Sequence, residues 1–311
     1  MRRVCMRRVL FAAIAVPAAI IASFVAQPAT AGAFTPSTIC GVSNQFSSLE
    51  RLAVGTSTAR GDIAREPSFT ETVVNPGAQQ GRGSRFRATV PVYVHVVSPD
   101  GVIGNVSNAI INDQITVLNA TFAGQEGGYN TGFRFTLAGI TRTVNADWFN
   151  ASINGERPMK RALHQGGDNA LNMYLTTAGP YLGWAYLPDI VRKGNSYLDG
   201  VVIDWESLRG ASTTYAGRYD QGETATHEVG HWINLEHTFF GGCNAHGDYV
   251  EDTPAELTPT AGCPAGKDTC SDPGIDPIHN YMDYSYDQCY TEFTAGQTLR
   301  MQDAWLFWRA P

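Results

Sequence analysis

His227-Glu228-Val229-Gly230-His231-Trp232-Ile233-Asn234-Leu235-Glu236-His237 is the stretch on which the reading of the fold turns. Gln221 to Asn234 reads as one helix. On a helix, positions i and i+4 share a face, so His227 and His231 can present two imidazoles to one metal ion. Glu228 stands beside them and need not ligate. Its carboxylate can polarise a water on that ion and take its proton. A reactive ion of this kind needs a third ligand and an open fourth position. His237 can be that ligand only if the chain leaves the helix after His231, because six more helical residues rotate through about 600° and would turn it away. Asn234 is where the bend belongs, since Asn, after Gly, best tolerates the left-handed conformation of a helix C-cap.

Upstream, Thr89 to Val97 has the β-branched run of a strand, and Val106 to Phe122 carries apolar residues at helical spacing. Phe133–Leu137, Leu171–Leu175 and Val201–Ile203 read as further strands, and Met159–His164 as a short helix. After Asn234 the chain turns to Gly, Pro, Asp and Cys, with a last helix from Ala295 to Trp308 whose Trp305, Phe307 and Trp308 are expected to pack on the core. This order predicts an α+β (mixed α/β) fold: a mixed sheet covered by helices, followed by an irregular segment. His95, His164, His246 and His279 read as structural or surface histidines.

The N-terminus is organised differently. Arg2, Arg3, Arg7 and Arg8 precede an apolar stretch, Val9 to Val25, and Ala29-Thr30-Ala31 offers a small-x-small cleavage site. Residues 1–31 therefore read as a secretory signal peptide, with a retained membrane anchor as the alternative, and the protein is expected outside the cell with no stable anchor. Residues 32–87 read as a propeptide and linker, ending in the Gly- and Arg-rich run Asn75 to Arg85, and residues 88–311 as the main domain.

The chain has 311 residues, 43% hydrophobic and 11% aromatic, too apolar for global disorder. Removing residues 1–31 leaves 18 basic residues against 29 acidic, a formal charge of −11. That excess argues against a nucleic-acid partner and suits cations and basic peptides.

Five cysteines remain after residue 31. Cys243, Cys263, Cys270 and Cys289 crowd into the last quarter and, in an oxidising compartment, read as two disulfides with three possible pairings. Cys40 is left over as a free thiol, an intermolecular partner or a metal ligand. Asp248, Glu251, Asp252 and Thr253 form an oxygen-rich cluster that suits Ca2+ or an ordinary acidic turn.

The histidine pattern, followed 45 residues after His237 by Met282 within Asn280-Tyr281-Met282-Asp283-Tyr284, resembles the metzincin zinc endopeptidases, and among them the pappalysin family. The likeness covers roughly residues 88–311. The family usually has Gly where this chain has Asn234. The resemblance implies a metzincin-like catalytic domain with a twisted, mainly parallel sheet, a zinc-binding active-site helix and a disulfide-stapled C-terminal subdomain. It implies one catalytic Zn2+ on His227, His231 and His237, with Glu228 as general base and Met282 as an apolar floor beneath the ion. Tyr284 would hold the oxyanion. The same resemblance pairs Cys243 with Cys270 and Cys263 with Cys289. It places Asp287 in the wall of the pocket for the residue after the scissile bond, where an acid favours Arg or Lys; a solvated surface Asp is the other reading. Relatives carry Ca2+ near Asp248, Asp252 and Thr253. In related metzincins a Cys-Gly pair in the prosegment holds the zinc shut, which would give Cys40-Gly41 a role.

The expectation is therefore a secreted, zymogenic zinc endopeptidase acting on protein or peptide substrates as a monomer. A non-catalytic zinc-stabilised binding module and a zinc hydrolase of a non-peptide amide are the rivals. The intact Glu228 speaks against the first, since a closed structural site has no use for it.

Overall fold

The computed structural model describes residues 85–150, 155–191, 195–244 and 247–311, together with the backbone of 49–52. The signal peptide, Cys40, His246 and nearly all of the propeptide and linker lie outside the described residues.

Twelve elements of these residues position the site: strands β1 (Leu49–Leu52), β2 (Ala88–Ser98), β3 (Phe133–Val144), β4 (Leu171–Thr176), β5 (Tyr181–Ala185) and β6 (Val201–Asp204), and helices α1 (Asn108–Phe122), α2 (Ala146–Phe149), α3 (Glu156–Leu163), α4 (Pro188–Val191), α5 (Glu223–Trp232) and α6 (Ala295–Ala304). The strands form one sheet in the order β1-β5-β6-β4-β2-β3. β2 pairs in parallel with β3 and β4, and β4 in parallel with β6, whereas β5 runs antiparallel to β6 and β1 antiparallel to β5.

The central strands are buried on both faces, as parallel strands under helices must be, and β4 is buried at every residue. Side chains alternate between two cores. Val92, Val94, Val96, Met173, Leu175 and Ile203 pack with α1, α5 and the Tyr281–Met282 turn on one face. Val97, Tyr174, Trp184 and Val202 pack with Phe149, Met159 and Ile190 on the other. α1 starts at Ser107, whose hydroxyl accepts the amide of Ile110 at 3.3 Å.

Four elements lie outside the sequence expectations: the one-turn helices α2 and α4 and the strands β1 and β5. β5 is a short run, Tyr181-Leu182-Gly183-Trp184-Ala185, whose last four residues are all buried, so it shows no polar alternation. β1 falls in the segment that reads as propeptide and linker. The C-terminal aromatics also divide: Trp305 is buried, but Phe307 is 74% exposed. Residues two apart on a helical turn face opposite sides, so both cannot reach the core. His95 is a structural histidine, bonded to the Thr141 hydroxyl at 2.8 Å and Asn172 Oδ1 at 2.9 Å, and burial pushes it down to about 4.

Candidate active site and metal centre

α5 lies against β5 and β6, and every one of its residues is buried. Its first amides are held by Asp287, whose Oδ2 accepts from the amides of Gln221 at 2.9 Å and Glu223 at 3.4 Å. A carboxylate at this end satisfies orphan donors and opposes the positive end of the helix dipole. Asp287, only 2% exposed, is thus not a solvated surface acid.

One turn on, His227, Glu228 and His231 are fully buried. His227 Nδ1 donates to the carbonyl of Tyr281 at 2.6 Å, and His231 Nδ1 to that of Leu235 at 2.7 Å. A ring that donates from Nδ1 in its neutral form presents a bare lone pair at Nε2, so both rings are fixed as ligands. The helix then ends. Asn234 takes φ +78°, the amide of Leu235 returns to the carbonyl of Gly230 at 3.0 Å, and Arg300 Nε binds the carbonyl of Asn234 at 2.7 Å.

This bend brings His237 to the other two. His231 Nε2 lies 3.0 Å from His227 Nε2 and 3.1 Å from His237 Nε2, and the three donor atoms lie within 4.8 Å of one another. The Nε2 atoms of His227 and His231 carry no proton to share, so their approach is repulsive unless a cation sits between them. Nitrogen donors in this arrangement fit Zn2+. Burial pushes the His231 ring down to about 3, and burial together with His231 pushes His237 well down, so both stay neutral as ligands require. Among the described residues, no other group of three His, Cys, Asp or Glu donors closes in this way.

Met282 is fully buried beneath α5. Gly230 makes room for it: a Cβ there would stand 2.4 Å from Met282 Sδ. The turn is held by Asn280, whose Oδ1 accepts the Met282 amide at 3.0 Å and whose side-chain amide pairs with that of Gln297. Tyr284 is 3% exposed, its ring edge-on to His237 at 4.9 Å, while Phe239 stacks on the same imidazole at 4.6 Å. Gly183 of β5 is a site residue with no signal in sequence: a Cβ there would stand 2.9 Å from Glu228 Cγ, so the strand passes directly over the carboxylate's stem. The carbonyls of Tyr281 and Leu235 that orient the ligands belong to backbone and are equally silent.

Cys243 is bonded to Cys270 and Cys263 to Cys289, with Cα–Cα distances of 5.5 and 5.9 Å. Asp252 spends its carboxylate capping α6, accepting from the Thr294 hydroxyl at 2.7 Å and the Gly296 amide at 2.9 Å. Asp248 is buried 3.0 Å from the amide of Val250, and burial pushes its carboxyl up to about 8. Thr253 is buried beside it.

Two helix-borne histidines, a third beyond a left-handed bend, a glutamate beside them and a methionine beneath define a metzincin zinc centre. The profile of peptidase family M43, described as pregnancy-associated plasma protein-A, matches residues 183–305. An extracellular metalloprotease of Neurospora crassa is 46% identical over 227 residues, covering 71% of this chain and 76% of that protein. One of Verticillium alfalfae is 40% identical over 90% of this chain and 94% of its own length. Among solved structures, mature mirolysin of Tannerella forsythia with a cleaved peptide is 30% identical, covers 73% of this chain and 99% of its own, and superposes with a TM-score of 0.61. A promirolysin mutant from the same organism is also 30% identical, with a TM-score of 0.63 over 71% of this chain and 81% of its own. The chain belongs to the M43 family of metalloproteases. It is a zinc metalloendopeptidase, and its substrates are peptides or proteins.

Proposed function

We propose that the protein is exported by way of residues 1–31, made latent, and matured to a monomeric endopeptidase that cuts before Arg or Lys. The observation that carries the catalytic reading is the convergence of three imidazole Nε2 atoms with Glu228 on the same helix. Zinc supplies Lewis acidity at this centre. Glu228 takes the proton of the attacking water and returns it to the leaving amine, and the Tyr284 hydroxyl donates to the developing oxyanion. Glu228→Ala should retain zinc and lose activity by about 10³-fold or more on casein and on an Arg-containing peptide. Activity near that of the wild type would remove Glu228 from the mechanism, and activity on small amides but not on peptides would favour the non-peptide hydrolase.

Latency finds support in β1. Residues 49–52 precede the catalytic domain and pair antiparallel with β5, with Arg51 opposite Gly183, the glycine over Glu228. The upstream segment therefore covers the sheet edge beside the site, an edge that an extended peptide can otherwise join by strand addition. Cys40, nine residues before β1, is the proposed thiolate that closes the zinc. Cys40→Ser should give a precursor that matures faster, with its new N-terminus within or after residues 75–85. An unchanged maturation rate would dismiss the latch.

The preference for Arg or Lys rests on Asp287, a buried acid just beyond the Met282 turn. Cleavage-site profiling should show Arg or Lys after the scissile bond, and Asp287→Asn should flatten that preference. A Ca2+ ion would be taken at Asp248 and Thr253, where it would relieve the cost of a buried carboxylate.

A further inference from the structure

Behind the metal centre, inside the stapled segment, one ammonium is surrounded by oxygen. Lys267 Nζ lies 2.5 Å from Glu256 Oε1, 3.0 Å from Asp276 Oδ2 and 3.1 Å from Thr260 Oγ1, and it also donates to the carbonyl of Thr258. Both carboxylates are fully buried as side chains, and the Lys267 side chain is 16% exposed. Two carboxylates, a hydroxyl and a carbonyl converging on one point are the donor set of a hard cation. Here the point is filled by the chain's own charge. Lysine is sparse in this protein, with three against nineteen arginines. A compact ammonium suits converging oxygens as a planar guanidinium does not.

The cage reaches the catalytic centre in two directions. Glu256 Oε2 accepts from the hydroxyl of Thr238, the residue after His237, at 2.7 Å. Thr260, whose hydroxyl donates to Glu256 Oε1 at 3.0 Å, gives its amide to Asp283 Oδ1 at 2.9 Å, and the same oxygen accepts the amide of Tyr284 at 2.7 Å. Burial, with Asp283 nearby, pushes Glu256 up to about 7 even with Lys267 beside it. Without a cation these acids would not ionise together.

We propose that Lys267 is a built-in cation. It occupies an oxygen cage that would take a calcium-type divalent ion, and through Glu256 and Thr260 it is a positioning residue for His237 and Tyr284. The stapled segment is thereby held to the zinc centre with no bound metal at this place.

The test uses zinc-loaded protein with no chelator. Lys267→Ala should melt several degrees below the wild type in calcium-free buffer and recover most of that loss in millimolar CaCl2. In the same titration its kcat should fall several-fold with KM little changed, and return with calcium. The wild type should lack this added response, and the difference between the two proteins separates the cage from any ion at Asp248. A variant whose calcium response equals that of the wild type would overturn the proposal. The melting measurement needs no activity, so its failure leaves the protease reading untouched. Should Lys267→Ala fail to fold, acetylation of the wild type decides: Lys267 should react at least ten times more slowly in the native protein than in the reduced, urea-unfolded chain. Equal rates would show that the ammonium is not caged.

Discussion

The sheet-bearing half, residues 88–204, and the stapled half beyond Asn234 hold themselves together by different means. In the first, Val92, Val94, Val96, Leu171, Leu175 and Val201 are at most 1% exposed, and burial of apolar area dominates. In the second, long stretches have no regular element. There, two disulfides, the Lys267 cage and the Asn280–Gln297 amide pair supplement the apolar packing of Tyr281, Met282 and Phe293. The metal centre lies on the seam: α5, between the two halves in sequence, packs on β5 and β6 of the first, while His237 and Met282 belong to the second. An irregular segment can place ligands accurately when its backbone groups are individually satisfied.

The largest effects should come from breaking each half in its own currency. Gly200 enters β6 with φ +104°, and a Cβ there would stand 2.3 Å from the carbonyl oxygen of Asn172. Gly200→Ala should cost about 4 kcal/mol and lower the urea midpoint of the whole domain. Replacing Cys263 and Cys289 together by Ser should cost about 3 kcal/mol. Hydrogen exchange should then rise in residues 255–292 while the strands stay protected, and uniform loss of protection would deny the two-part description.

A pH experiment sharpens the contrast at the end of the sheet. Burial pushes the Asp204 carboxyl up to about 6, against an ordinary 3.8. The folded protein holds this proton more tightly, so the contribution is full below about pH 4 and is lost as pH rises through about 6, on the order of 2 kcal/mol. Asp204→Asn should gain that much on the wild type between pH 4 and pH 7 in denaturant titrations. Parallel curves would show that the carboxyl is not buried as described. The smallest effect belongs to Asn234. Asn234→Gly should be neutral or slightly stabilising and Asn234→Ala should cost about 1 kcal/mol, with weaker zinc retention.

These residues also show what sequence can carry. The helix through His231, the bend at Asn234 and the strand from Ala88 were legible because each rests on a local rule of period or backbone tolerance. β5 was not, because a five-residue strand buried between β1 and β6 shows its identity only in that pairing. Asp287 was legible as an acid near the Met282 turn, but its bonds to Gln221 and Glu223 join segments more than sixty residues apart. Lys267 gave no signal, since its partners Glu256, Thr260 and Asp276 follow no fixed spacing.

Metal analysis of the purified chain tests the central claim most directly. The account predicts about one zinc per chain in the wild type and in Glu228→Ala, with His237→Ala losing most of it on dialysis. A wild type with no stoichiometric transition metal, or a His237→Ala variant that keeps its zinc as firmly, would contradict it.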